Sequence, residues 1–344
     1  MDFTIKELKS VNNPRSIHGI YPYRGKISAL DAEQILSQMP KGSIVLDPFC
    51  GSGTIVYEGL KFGLHTIGVD ANPIAVALSN GKIHIPLLIN EVSNEVETFI
   101  SRAKSQTSFP QASEYPKTLF HEESLNEIMR MSILYEDMSD YLKACFLGTI
   151  ALTARGCNHY KWTSSTVGKN IEPKRYIPFY DKLRQKVRKH YHPIRNESIV
   201  YYEDTRNIDK ILPPNSVDFI FSSPPYFDCL DYTAYYARIV YDILGYERLQ
   251  IRSRLIQSFD NYENDMKVVL SKLYKILRPG GQVIFVVGDK KIHRRLINGA
   301  EFFQRISPFE RCSTIERTYS NTSSKVFDAL NKTERKEQIV IWTK

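Results

Sequence analysis

The chain has 344 residues, long enough for one large domain carrying an inserted one or for two domains. Its 46 Lys and Arg against 38 Asp and Glu leave a net charge of +8 and a pI near 9.0, a balance that favours a polyanionic partner. Five cysteines, odd in number and without a Cys-x-x-Cys pair, exclude a disulfide scaffold and a zinc knuckle; with no apolar export segment at Met1–Lys6 and no run of eighteen apolar residues, a reducing cytoplasm, no membrane and no metal are expected.

In chain order the first informative motif is the apolar run Ser43-Ile44-Val45-Leu46 meeting Asp47-Pro48-Phe49-Cys50-Gly51-Ser52-Gly53-Thr54, with a helical pattern from Ile55 to Phe62. Glycines at 51 and 53 let the backbone approach a ligand closely, because neither carries a Cβ and both tolerate positive φ. Asp47 at the strand end can accept from an ammonium group. No glycine stands three residues beyond Gly53 and no Gly-Lys-Ser/Thr follows, so neither a dinucleotide fingerprint nor a phosphate loop is present. A zwitterionic amino acid fits better. The next run, His65 to Asp70, ends in an acid seventeen residues beyond Gly53, where doubly wound sheets place a carboxylate on ribose hydroxyls. Asp70 also reads as a helix cap or a turn residue, and Asn72-Pro73 starts a helix.

Residues 83–197 then separate this half from the rest. βα connections usually span about 2 to 6 residues, so a segment of this length carries structure and purpose of its own. Gln106 to Tyr115 reads as a loop. Ser124 to Cys157 is helical in period, with Ile128, Met131, Leu134, Leu142, Phe146, Ile150 and Thr153 on one face, which packs the insertion onto the body. Between Arg155 and Arg195 eleven Lys or Arg stand against Glu172 and Asp181. Phe179 to Tyr191 reads as a helix with Leu183 and Val187 inward and cations around the rest. Such a face neutralises phosphates, unless it is only solvated. Tyr160, Trp162, Thr163, Ser164 and Ser165 beside it suit base and phosphate contacts or an ordinary surface loop.

A third strand at Ser198-Ile199-Val200 precedes Asp204, which reads either as an acceptor for an adenine amine or as an ordinary loop residue. The strand Phe219-Ile220-Phe221 follows and runs into Ser222-Ser223-Pro224-Pro225-Tyr226. Two prolines fix φ and donate no N–H, so the carbonyl of Ser223 or Pro224 can face outward as a free acceptor, and Tyr226 offers a flat stacking face. Acceptors holding the hydrogens of a ring-conjugated amine localise its lone pair toward an electrophilic methyl. The alternative is an extended turn closing a buried strand. A tyrosine-rich helix starts at Asp231, with Tyr232 and Arg238 as further candidates, and another spans Asn261 to Leu277, stopped by Arg278-Pro279-Gly280-Gly281. Strands at Gln282 to Asp289, Ser313 to Tyr319 and Glu337 to Trp342 complete seven. The alternation predicts an α/β fold with a mostly parallel sheet, and every motif falls at a strand carboxyl end, where such sheets bind ligands.

With these motifs together, the chain resembles S-adenosylmethionine-dependent, amino-methylating DNA methyltransferases, with the Ser-Pro-Pro-Tyr form typical of N4-cytosine enzymes and the motif order called alpha. The resemblance implies a Rossmann-like class I methyltransferase fold, a seven-stranded mostly parallel sheet with an inserted helical region and a final antiparallel pair. It implies that Asp47, Pro48, Phe49, Gly51 and Gly53 hold the methionine end of S-adenosyl-L-methionine, Asp70 and Ala71 the ribose, and Asp204 and Thr205 the adenine. The segment His18 to Lys26 resembles the family's amino-terminal cofactor element, with Tyr21 and Lys26 as its contacts. Ser223, Pro224, Pro225 and Tyr226 form the catalytic loop. Residues 1–82 and 198–344 would make the catalytic domain and 83–197 the DNA-recognition region, through Lys174, Arg175, Lys182, Arg184, Lys186, Arg188 and Lys189. Double-stranded DNA is the implied partner, with a cognate restriction endonuclease beside it and a nucleoid-associated location. No Pro-Cys dipeptide offers the thiolate that methylation of carbon 5 requires. An adenine-N6 enzyme, an RNA guanine-N2 enzyme and a DNA-binding module on the same scaffold stay open.

Overall fold

The computed structural model describes residues 1–5, 16–23, 25, 27–154, 175–195, 197–225, 231–234, 236–292, 295–319 and 335–344. The amino-terminal half builds α1 (Ala29–Leu36), β1 (Ile44–Asp47), α2 (Thr54–Lys61), β2 (His65–Asp70) and α3 (Pro73–Ile83). The insertion follows as α4 (Ile89–Lys104), α5 (Glu114–Lys117), α6 (Glu122–Ser132), α7 (Asp140–Thr153) and α8 (Phe179–Lys189). The carboxyl half runs β3 (Ile199–Tyr202), β4 (Val217–Ser222), α9 (Tyr236–Leu244), α10 (Arg248–Arg254), α11 (Phe259–Ile276), β5 (Leu277–Gly288), β6 (Lys290–Ile292), β7 (Arg295–Ile297), α12 (Gly299–Ile306), β8 (Arg311–Tyr319) and β9 (Arg335–Thr343).

Local chemistry sets several boundaries. Pro73 occupies the first turn of α3, where its missing N–H costs nothing, and the Asn72 side chain accepts from the Ile74 amide at 3.0 Å. Ser139 caps α7 through the Leu142 amide. The long apolar period expected from Ser124 to Cys157 is two helices, because the chain turns at Tyr135–Asp137 before that cap. β5 begins at Leu277, ahead of the expected Gln282, with Gly280 at φ +78 in its exposed first part. The β6–β7 hairpin was not anticipated.

The main sheet has the order β3-β2-β1-β4-β5-β9-β8. Its first five strands are parallel, and β9 runs antiparallel to both β5 and β8, the expected final pair. Alternation along each strand feeds two cores. Val45, Phe221 and Ile284 pack with α1, while Leu46, Ile220, Val283 and Phe285 pack with α11 and α12. A third core joins α4, α6, α7 and α8 to Ile74 and Leu78 of α3 and to Ile239 and Val240 of α9. The inserted helices thus share their apolar interior with the body, as the periodicity of Ile128, Phe146 and Ile150 implied.

Candidate active site

The strand order reverses between β1 and β4: β2 and β3 lie on one side, β5 on the other. Parallel sheets open a crevice at such a switch, beyond the strand carboxyl ends. Asp47 ends β1, Asp70 ends β2, Asp204 follows β3 and Ser223 follows β4, and all four line one cleft with about 810 Å³ of empty space, part of it open to solvent.

Asp47 is 3% exposed and accepts from the Ser222 hydroxyl at 2.6 Å and the Phe49 amide at 3.2 Å. Burial pushes its carboxyl up to about 7, with the charge of Asp70 adding to the effect and the two donors opposing it. Asp70 accepts from the Gly51 amide at 2.9 Å and the Asn72 amide at 2.8 Å, and burial pushes it up to about 6. Two desolvated carboxyls in one cleft favour a cationic ligand, whose charge replaces the water that each has lost.

Gly51 has φ +51, and a Cβ there would stand 3.1 Å from Cε1 of Tyr23, so the bare backbone keeps the gap between loop and ring open. Gly53 has φ +72 and precedes α2, but a Cβ would meet Cα and Cβ of Ser79 at 2.9 Å. Its requirement is the close approach of α2 to α3, and it does not line the cleft. Phe49, Ala71 and Thr205 do line it. The Thr205 hydroxyl donates to the Pro48 carbonyl, tying the β1 loop to the turn after β3. Asp204 lies at the cleft with its carboxylate engaged by Arg206, whose Nε donates at 3.0 Å and whose Nη1 also pairs with Asp265.

The amino-terminal contact differs from expectation. Tyr21 is 4% exposed and packs in the core with Ile17 and Ile20, away from the cleft. Tyr23 lines the cleft instead, its hydroxyl held well above the usual range by burial and then by the nearby Asp70 charge. Asn72, Tyr232, Arg254, Leu255 and Ile256 also line the cleft. Arg254 sits 4.8 Å from the ring centre of Tyr202 and donates to its hydroxyl at 2.9 Å. Except for Tyr232, already a candidate, none of these carries a periodic signal that sequence reasoning could use.

Ser223 and Pro225 line the cleft with Pro224 between them, and the Pro225 carbonyl accepts from the Tyr262 hydroxyl. Tyr226, Lys26 and Lys174 lie outside the described residues. On α8, Leu183 and Val187 face inward as expected. Lys186 departs from expectation: it is 8% exposed, and its ammonium donates to the Ile20 carbonyl at 2.9 Å. Arg184 is paired with Glu97 at 2.6 Å and Asp181 at 2.9 Å. Arg175, Arg188 and Lys189 are exposed and Lys182 is half-buried. Arg238 stacks on Tyr115 of α5 at 3.8 Å. Among the described residues no cluster of His, Cys, Asp or Glu has the arrangement of a metal site, and no helix is long and apolar enough to cross a membrane.

Residues 13–81 match a family model described as DNA methylase. The type II methyltransferase M.MjaII of Methanocaldococcus jannaschii is 31% identical over 83 residues, covering 24% of this chain and 16% of that protein. The type II methyltransferase M.BsoBI of Geobacillus stearothermophilus is 24% identical over 340 residues, covering 86% of this chain and 65% of that protein. The chain therefore spans less than two thirds of either relative. Among solved structures, an rRNA methylase of Streptococcus thermophilus aligns over 92% of this chain and 97% of its own, with a TM-score of 0.36 and 6% identity, too distant to bear on function.

Proposed function

We propose that this chain is an S-adenosylmethionine-dependent DNA methyltransferase acting on an exocyclic base amine, N4 of cytosine. The observation that carries the reading is the hydrogen bond from Ser222 to Asp47 across the switch point, which joins the acid of the glycine loop to the first residue of the Ser-Ser-Pro-Pro segment. The family match over residues 13–81 supports it, and so does the similarity to two type II methyltransferases.

The residues present fit S-adenosylmethionine. Asp47 offers a buried carboxylate for the ammonium group, the bare face of Gly51 leaves room that a Cβ would fill, and Asp70 is oriented by two backbone amides at the end of β2. Phe49 and Ile256 give the cleft apolar walls. What the cofactor supplies when bound is an electrophilic methyl on a sulfonium.

The protein's part in the transfer is positioning and exclusion of water. The Ser223 and Pro224 carbonyls are suited to accept from the target amine, which localises its lone pair, and Tyr226 to stack on the ring. The proton leaves the amine after the transfer. A paired base must first be drawn out of the duplex. The partner is double-stranded DNA, with Arg175, Lys182, Arg188 and Lys189 as phosphate contacts; a companion restriction endonuclease and a nucleoid location belong to the same reading.

The same cleft serves N6 of adenine, because both targets are ring-conjugated amines and the carbonyl acceptors do not distinguish them. Incubation with radiolabelled S-adenosylmethionine and varied duplexes, followed by chromatography of the digested nucleosides, is expected to give N4-methylcytosine. N6-methyladenine would transfer the assignment to adenine, and no label in DNA would sink the reading. Tyr226→Ala is expected to abolish transfer while calorimetry finds cofactor affinity nearly unchanged; full turnover in that variant would remove the stacking role.

A further inference from the structure

We propose that Arg206 is a positioning residue for the base of the cofactor, holding the Asp204 carboxylate so that one acceptor site is left for the 6-amino group of adenine; the proposal rests on the methyltransferase reading above. Three hydrogens of Arg206 reach that carboxylate. The backbone amide donates to Oδ1 at 2.9 Å, Nε is shared between Oδ1 and Oδ2 at 3.0 Å each, and Nη2 donates to Oδ2 at 2.5 Å. A carboxylate offers about four acceptor sites, so the arginine leaves about one. Asp204 lines the cleft with its side chain 13% exposed, whereas Arg206 does not line it. A ligand in the cleft thus meets the acid and not the guanidinium that orients it.

Arg206 is itself fixed by two further elements. Its Nη1 donates to Asp265 of α11 at 3.0 Å, and its Nη2 donates to the carbonyl of Arg254, at the end of α10, at 3.0 Å. Arg254 returns the connection, since its Nη1 donates at 2.9 Å to the hydroxyl of Tyr202, the last residue of β3. Two arginines therefore hold Asp204 and residues 254–256, all of which line the cleft, in one arrangement. A planar fork of charge-assisted bonds fixes direction as well as distance, which a flexible ammonium does not.

The turn at Thr205–Lys210 has other anchors for its shape. The Thr205 hydroxyl donates to the Pro48 carbonyl, Ile208 is fully buried, and Asp209 pairs with Lys272 of α11 at 2.8 Å. What Arg206 adds is the direction of one carboxylate. The ligand feature matched to it is an N–H, and a base without that donor would cover the acid and leave its last acceptor site unpaired.

The test is calorimetry with S-adenosylhomocysteine and with its deamino analogue, which carries hydrogen in place of the 6-amino group. The wild type is expected to prefer the adenine ligand by about 100-fold, the scale of a hydrogen bond to a charged group. Arg206→Ala should cut that ratio to about tenfold, the loss falling on the adenine ligand while affinity for the analogue stays within about twofold. Arg206→Lys, which keeps the charge and loses the fork, should stand between them at about thirtyfold. Once Asp204→Asn has been made, adding Arg206→Ala should change the ratio no further. In turnover, Arg206→Ala should raise KM for S-adenosylmethionine about tenfold and leave kcat at saturation within about threefold.

A role in folding alone would weaken both ligands alike, and that result overturns the proposal. An unchanged ratio does the same, as does a larger one, which is the outcome if the guanidinium only competes for the acid's acceptor sites. A wild type that binds neither ligand, or both equally, also overturns it. No DNA enters the binding measurement, so a wild type that prefers adenine but labels no duplex sinks the proposed function alone. Should Arg206→Ala fail to fold, Arg206→Lys decides by the same ratio.

Discussion

Asp47 meets two opposing demands, since it is buried beside a second acid and yet is the carboxylate best placed for a cation. Its raised value has a definite sign in the ligand-free protein. Between the ordinary carboxyl value of 3.8 and about 7 the folded state keeps a proton that the unfolded chain releases, so stability falls as pH rises through that window. A bound cation reverses the preference, because it favours the ionised acid. Affinity for S-adenosylmethionine, measured by calorimetry, is thus expected to tighten from about pH 6 to about pH 8, with Asp70 contributing at the lower end. Asp47→Asn should lose most of that dependence and bind about tenfold more weakly at the upper pH, a cost of about 1.4 kcal/mol. Wild-type affinity that does not change with pH would remove the ionisation of Asp47 from binding. At this scale the sequence was legible wherever a residue ends a strand: Asp47, Asp70 and Ser223 are fixed by the apolar runs before them. Tyr21 and Tyr23 differ because the arm before β1 has no period, and nothing in its residues tells which of two neighbouring tyrosines turns inward. Lys186 differs for another reason: it lies three residues from Leu183 and one from Val187 on the buried face of α8, so its spacing points inward while its charge points to solvent.

The approach of α7 to the amino-terminal arm sets a stricter limit at the level of elements. Gly148 of α7 faces the Ile20 carbonyl so closely that a Cβ would stand 1.8 Å from its oxygen, the same oxygen that receives the Lys186 ammonium. Gly148→Ala is therefore expected to displace residues 17–23 and, with them, Tyr23 at the cleft. Cofactor affinity should fall about tenfold and the protein should lose about 1 to 3 kcal/mol in denaturant unfolding, although the substitution is remote from the ligand. An unaltered dissociation constant would show that the arm adjusts without moving Tyr23. Helices with a proline or asparagine start, such as α3, were readable to within a residue. The break between α6 and α7 was not, because a run of apolar residues continues across the turn and only the Ser139 cap marks the new helix.

Across the whole molecule, charge is the property most open to a direct test. Duplex binding followed by fluorescence anisotropy should weaken with salt along a straight log–log line. Replacing both Arg188 and Lys189 by Ala should reduce the slope by about 1.8, the value for two phosphate contacts, while Arg184→Ala, whose guanidinium already serves Glu97 and Asp181, should leave it nearly unaltered. A slope indifferent to the first pair would move the DNA surface elsewhere. The α/β architecture followed from alternation and the antiparallel final strands from the resemblance, whereas the short β6–β7 hairpin followed from neither, since three-residue strands carry too few positions to show a period. The long insertion joins α3 to β3, the outermost strand beside β2, so it enters and leaves at a margin of the sheet and every inner strand keeps both neighbours. Cutting the gene between α3 and β3 should give one polypeptide bearing β1 and β2 and another bearing β3 and β4, which rebuild the sheet only by seating β2 and β1 between β3 and β4.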